Sequence, residues 1–96
     1  MKIQNERHDN TGRFFIEENK KMVAELDYTF PAENTLLIVH TEVSKEYGGK
    51  GFGKELVAAA ADYARKNSLS LKASCSYAKV VLSRGKEYAD VYSDEK

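Results

Sequence analysis

Apolar and polar residues alternate along much of the first half of the chain. Met22, Ala24, Leu26 and Tyr28 interleave with Val23, Glu25, Asp27 and Thr29, the two-residue period of a half-buried strand. Upstream, residues 3–7 are weakly strand-like, and Asp9-Asn10-Thr11-Gly12 forms a turn cluster before Arg13–Glu18, which carries Phe14, Phe15 and Ile16; a hairpin is expected. Pro31–Asn34 turns the chain. Leu36-Leu37-Ile38-Val39 then opens a strand as an unbroken apolar run, which predicts cover on both faces, and the strand continues to about Val43. From Phe52 the spacing changes: Phe52, Leu56, Ala59, Ala60, Tyr63 and Ala64 fall on one helical face, and this helix is expected to end near Lys66-Asn67, with Asn67 as a left-handed cap. Leu69, Leu71 and Ala73 resume strand alternation, and a shorter helix is expected over Ser76–Arg84, stopping at Gly85.

These elements predict an α+β fold: a mixed four- to five-stranded sheet with a central strand–helix–strand crossover joining two parallel strands. Ninety-six residues make one domain, assigned to residues 1–92, with 93–96 as a frayed tail. A chain this short has little apolar surface to spare for an enclosed site, so an open cleft is expected. Fifteen basic residues cancel fifteen acidic ones, so no global field favours nucleic acid or a membrane, and attraction for an anion must be local. The longest apolar run, Leu56–Ala61, is far short of a membrane span, and the N-terminal residues have no apolar segment of the secretory kind. The lone Cys75 cannot form an internal disulfide or the clustered ligands of a zinc site. A cytoplasmic protein without a metal is therefore expected, and any self-association is expected to be a weak homodimer.

The densest chemical signal is Tyr47-Gly48-Gly49-Lys50-Gly51-Phe52-Gly53-Lys54, which holds four of the six glycines at the entrance to the best helix. Glycine costs about 1 kcal/mol against alanine inside a helix, so its placement there implies that missing side chains are useful. Helix-opening N–H groups lack internal partners and carry the positive end of the dipole, and small residues let a phosphate approach them. Lys50 and Lys54 flank the turn with positive charge. The nucleotide-hydrolysing pattern G-x-x-x-x-G-K runs from Gly48 to Lys54 but continues with Glu55 where Ser or Thr is needed, and Gly49, Gly51 and Gly53 give G-x-G-x-G rather than the dinucleotide pattern. The bland alternative is a flexible strand-to-helix turn.

The segment from Val43 to Gly53 resembles the pyrophosphate-binding motif of the GNAT-type N-acetyltransferases, Arg/Gln-x-x-Gly-x-Gly/Ala after a strand, with Gly51 and Gly53 in the small-residue slots. Gly48 stands where that family usually has Arg or Gln. The signatures Val39-His40-Thr41 before the loop and Ser74–Lys79 (Ser-Cys-Ser-Tyr-Ala-Lys) after it resemble a minimal branch of the family. The resemblance implies a reduced acyl-CoA N-acyltransferase fold, acetyl-CoA as co-substrate and an amine of unknown identity as acceptor. It also implies cofactor binding by Val43, Gly48, Gly49, Lys50, Gly51, Phe52, Gly53 and Lys54.

The tyrosine that serves as acid in larger relatives has no counterpart near Leu82–Arg84, since Tyr77 lies one turn too early. Two other residues stand as catalytic candidates. His40 shares a strand face with Glu42 and is expected to point towards the thioester as base or acid, or else to be a hydrogen-bonded histidine at the edge of the core. Cys75 precedes a helix whose free N–H groups lower its pKa, so it reads either as an acyl-accepting nucleophile or as a small buried hydrophobe. Lys79 and Arg84 read as solvated, with a 3′-phosphate contact as the alternative. From a different class comes a non-catalytic acyl-CoA-binding or partner-docking module.

Overall fold

The computed structural model describes residues 2–93. Five strands, β1 (Ile3–His8), β2 (Thr11–Glu18), β3 (Lys21–Ala32), β4 (Thr35–Val43) and β5 (Ser70–Ala73), form one sheet in the order of the sequence. The first three pairings are antiparallel and β4–β5 is parallel. Helix α1 (Phe52–Lys66) makes the crossover between β4 and β5, and α2 (Ser76–Arg84) follows β5. This is the mixed sheet with a β–α–β unit that the apolar patterning predicts.

One face of the sheet carries the core. Directly opposed residues on neighbouring antiparallel strands share a face, and Phe14 opposite Leu26, Ile16 opposite Ala24 and Tyr28 opposite Ile38 all join the buried cluster with Leu56, Val57, Ala60, Ala61 and Ala64 of α1. The other face carries Arg13, Phe15, Glu25, Asp27, Leu37, His40 and Glu42. Phe15 is buried but lies outside the core cluster, on the face opposite α1. The expectation of cover on both faces of β4 is therefore corrected: Leu36 and Ile38 are fully buried while Val39 is 41% exposed. An unbroken apolar run alone does not distinguish a sandwiched strand from one lined on a single side.

Local chemistry sets the turns. Thr11 and Gly12 belong to β2, and the first turn is only Asp9-Asn10, because His8 pairs with Thr11. Asn19 and Lys20, both at positive φ, form the two-residue turn between Glu18 and Lys21. Pro31 also lies within a strand; it falls in the register shift between Thr29 and Ala32, where a missing N–H breaks no ladder bond. The expected left-handed cap moves by one residue: Asn67 stays at φ −108° and Ser68 takes φ 56°. Leu69 N–H then bonds Ala64 C=O at 2.8 Å and Ser68 N–H bonds Arg65 C=O at 3.3 Å, a Schellman closure, while the Asn67 side chain donates to Tyr63 C=O.

Beyond α2 the chain returns to the sheet. Leu71 N–H bonds Val91 C=O and Ser93 N–H bonds Leu71 C=O, both at 2.9 Å, so Tyr92 bridges Leu71 in parallel. Of the tail expected over 93–96, residues 94–96 lie outside the described residues.

Candidate functional site

The strands β4 and β5 pair only from Thr35–Ser70 to Ile38–Ala73. Ser74 N–H makes a last bond to Ile38 C=O at 2.9 Å, and β5 ends while β4 runs on to Val43. A bulge marks the parting: Tyr28 pairs with Ile38 and Asp27 with His40, leaving Val39 as the extra residue. Into this gap opens a cleft of about 510 Å³ lined by residues that include Thr41, Val43, Tyr47, Phe52, Lys54 and Tyr77, with Gly48, Gly49, Gly51 and Gly53 along its rim. It falls in the ~300–1,000 Å³ range of ligand pockets.

The glycines of this rim have different physical reasons. Gly49 and Gly51 sit at φ 84° and 81°, where side chains are strained, and a Cβ on either would meet only open space. Gly51 is the cap of α1, and no side chain bonds the helix start. Because the first ladder bond is Glu55 N–H to Gly51 C=O at 3.0 Å, the N–H groups of Phe52, Gly53 and Lys54 precede it and are available to an anion. Gly53 is buried for a reason that its spacing does not disclose: a Cβ there would lie 2.7 Å from the Tyr77 hydroxyl. Tyr47 stacks on Phe52 with centroids 5.8 Å apart, and the Lys50 ammonium lies 5.9 Å from the Tyr47 ring centroid. Of the eight residues singled out in the sequence as cofactor contacts, the structure brings all but Lys50 onto the cleft wall, and Lys50 stands over a wall residue.

Cys75 is not part of the cleft lining, but its thiol lies 3.6 Å from Oγ1 of the lining residue Thr41. Burial pushes this thiol up, but N–H groups of Ala78 and Tyr77 and the side chain and backbone of Thr41 outweigh it, and the net shift is below the ordinary thiol value. His40 does not line the cleft. It points to the sheet face opposite α1, opposite Asp27, with Nε2 3.3 Å from Glu42 Oε1 and more than half its side chain exposed. The shared face with Glu42 is as the alternation predicts; the bulge at Val39 and the one-sided core decide which face it is. Thr41, Tyr47 and Tyr77 are cleft residues that spacing did not single out. Thr41 carried a signal as the third residue of Val-His-Thr, whereas the Tyr77–Gly53 contact is a packing event between two helices.

Comparison with known proteins agrees with this geometry. No curated protein matches the chain. The solution structure of a GCN5-like protein from Staphylococcus aureus is 38% identical, covering 97% of this chain and 90% of that one with a TM-score of 0.76. The ribosomal-protein-alanine N-acetyltransferase of Brucella melitensis shares the fold at 17% identity and a TM-score of 0.67, covering 81% of this chain and 64% of that one. The PaiA N-acetyltransferase of Thermoplasma acidophilum, solved with coenzyme A, does so at 17% identity and 0.56, over 62% of this chain and 37% of that one. The family model described as GCN5-related N-acetyl-transferase matches residues 13–91. A parted parallel strand pair, a glycine turn opening the crossover helix and this match lead to one conclusion: the chain belongs to the GCN5-related N-acetyltransferase family.

Proposed function

We propose that the chain binds acetyl-CoA in the glycine cleft and transfers the acetyl group to an amine, as a member of a minimal branch of its family. One observation carries this reading: the uncapped first turn of α1 and the strand β4 beyond its pairing with β5 line a single cleft, and the Cys75 thiol contacts its lining residue Thr41. The backbone amides of Gly49 and of residues 51–54 suit a pyrophosphate, with Lys50 and Lys54 adding charge. Val43 and the unpaired side of β4 suit an extended arm beside it. When bound, acetyl-CoA supplies the activated acetyl thioester. On this reading the Cys75 thiolate attacks that carbonyl: a carbon–sulfur bond forms at Cys75, the bond to the cofactor sulfur breaks and coenzyme A leaves as its thiolate, and the amine then takes the acetyl group from Cys75. On the same reading His40, across β4 and outside the cleft lining, accepts a proton from an amine that arrives over the uncovered face.

Calorimetric titration with acetyl-CoA tests the binding step. Saturable binding is expected for the wild type, and Gly51→Asp, which sets a carboxylate against the proposed phosphate, is expected to abolish it. Equal binding by both proteins would remove the glycine turn from the site. Incubation with a panel of amines and basic peptides then tests transfer, with loss of turnover expected for Cys75→Ala and His40→Ala while cofactor binding persists. Tight binding by the wild type without turnover on any amine would favour the binding-module reading instead.

A further inference from the structure

Both helices join the core on one side of the sheet, and the strands carry an unbalanced set of charges on the other. Five carboxylates, Glu6, Glu17, Glu25, Asp27 and Glu42, stand there against two cations, Arg13 and Lys72. Arg13 is already engaged, its guanidinium 3.5 Å from Glu6. The chain as a whole is neutral, so the surplus belongs to this face and not to the protein at large. Glu25 sits directly opposite Glu42, a placement of like charges that costs stability across a strand pair. Burial raises the Glu25 carboxyl, and the hydrogen bond and charge of Asp27 and the charge of Glu42 raise it further. Apolar side chains bracket these carboxylates. Met22 is 39% and Val39 41% exposed, two of the four large hydrophobics exposed among the described residues. Met22 shares a hollow of about 260 Å³ with Glu25 and Glu42, and Val39 shares one of about 310 Å³ with Glu6 and Asp27.

We propose that this face docks a basic segment of a partner protein, with its lysine or arginine side chains on Glu25, Asp27 and Glu42 and its apolar side chains on Met22 and Val39. The inference stands apart from the cofactor reading, since none of these residues lines the glycine cleft. Charge selects the occupant. A second copy of the chain would set one acidic surplus against another, and a nucleic-acid backbone or an anionic membrane would be repelled. Cations instead relieve the repulsion between Glu25 and Glu42, which Arg13 only partly offsets. A free polyamine answers the charges but has nothing for the apolar ends. Met22 and Asp27 lie five residues apart on β3, about 17 Å of strand, so one short segment reaches from the first hollow to the second. Conflict between local charge and fold is what a binding surface leaves in a sequence.

Nitrogen-15 spectra of the full chain, titrated with a short peptide that alternates lysine and leucine, test this directly. Saturable shifts are expected at the amides of residues 22–27 and 39–42 and none at residues 48–54. The same peptide with glutamate in place of lysine is expected to move neither set, and spermidine is expected to bind about tenfold more weakly than the lysine peptide, because it lacks the apolar contacts. Glu25→Gln combined with Glu42→Gln is expected to weaken the lysine peptide about tenfold. That variant removes a repulsion and is expected to melt no lower than the wild type, so its lost binding is not lost structure. Val39→Ser, at an exposed position, is expected to weaken the peptide about threefold. If the lysine peptide leaves residues 22–27 and 39–42 unmoved, if spermidine matches it, or if the double variant binds it as well as the wild type does, the docking face is overturned while the glycine cleft stands.

Discussion

Gly12 and Gly48 show how differently one residue type is used. Gly12 lies within β2 opposite Tyr28, and a Cβ there would come 2.5 Å from the Tyr28 phenol and 2.8 Å from the Glu6 carbonyl oxygen. Tyr28 cannot yield, being 1% exposed and bonded through its hydroxyl to Asn5 Oδ1 at 2.7 Å. Gly12→Ala is therefore expected to destabilise by about 2–3 kcal/mol, the upper part of the overpacking range. Gly48, where a Cβ would make an ordinary 3.5 Å contact, should tolerate alanine within about 0.5 kcal/mol. Urea unfolding of the two variants checks both, and equal losses would refute the distinction. In the sequence the two glycines look alike, since each stands in a polar turn-like cluster, and only the tyrosine across the strand separates them. The chemistry of Cys75 was more legible, because its position before a helix already implied N–H groups aimed at the thiol.

Among the elements, α1 differs between its two ends. Its start is left open, while near its end Arg65 binds Asp62 Oδ1 at 2.9 Å and both Asp90 oxygens at 2.8 and 3.1 Å, and donates to the Glu87 carbonyl. Asp90 holds the guanidinium pKa above its usual value, and Arg65 in turn holds the Asp90 carboxyl below its own. The network fastens the segment after α2, whose continuation bonds Leu71 on the outer side of β5. Arg65→Lys lacks the planar fork and is expected to speed amide exchange at Tyr92 and Ser93 more than at any residue of β2 or β3. Uniform acceleration across the sheet would show that Arg65 stabilises the whole fold rather than this return. Helix boundaries, the first hairpin and the parallel crossover were readable from apolar spacing, because period and turn residues agree along the chain. The C-terminal return was not, since residues 91–93 meet β5 through backbone groups of Val91 and Ser93 on Leu71, which leave no periodic signature.

For the molecule as a whole, the governing asymmetry is a sheet with helices on one face. Glu25 sits directly opposite Glu42 on the other face, with Asp27 beside it. Burial first, then the hydrogen bond and charge of Asp27, hold the Glu25 carboxyl above its usual 4.5, with Glu42 adding and Arg13 opposing. Because the folded value exceeds the unfolded one, ionised Glu25 costs the native state: the penalty is absent below the unfolded pKa and complete above the folded one. Glu25→Gln is thus expected to raise Tm at pH 7, with the gain fading as the solution is acidified through the carboxylate range. A gain of equal size at every pH would disprove the electrostatic account. The side on which the core lies could not be read from Leu36–Val39, whose unbroken run hid a bulge.

The tight Asp9-Asn10 turn has a consequence for how such a chain grows. It lies at the end of the β1–β2 hairpin, an element that contributes no lining to the glycine cleft, and His8 and Thr11 already bring the two strand ends together. Sequence inserted between them would project from the sheet without lengthening any strand, and the lining of the glycine cleft would stay as it is.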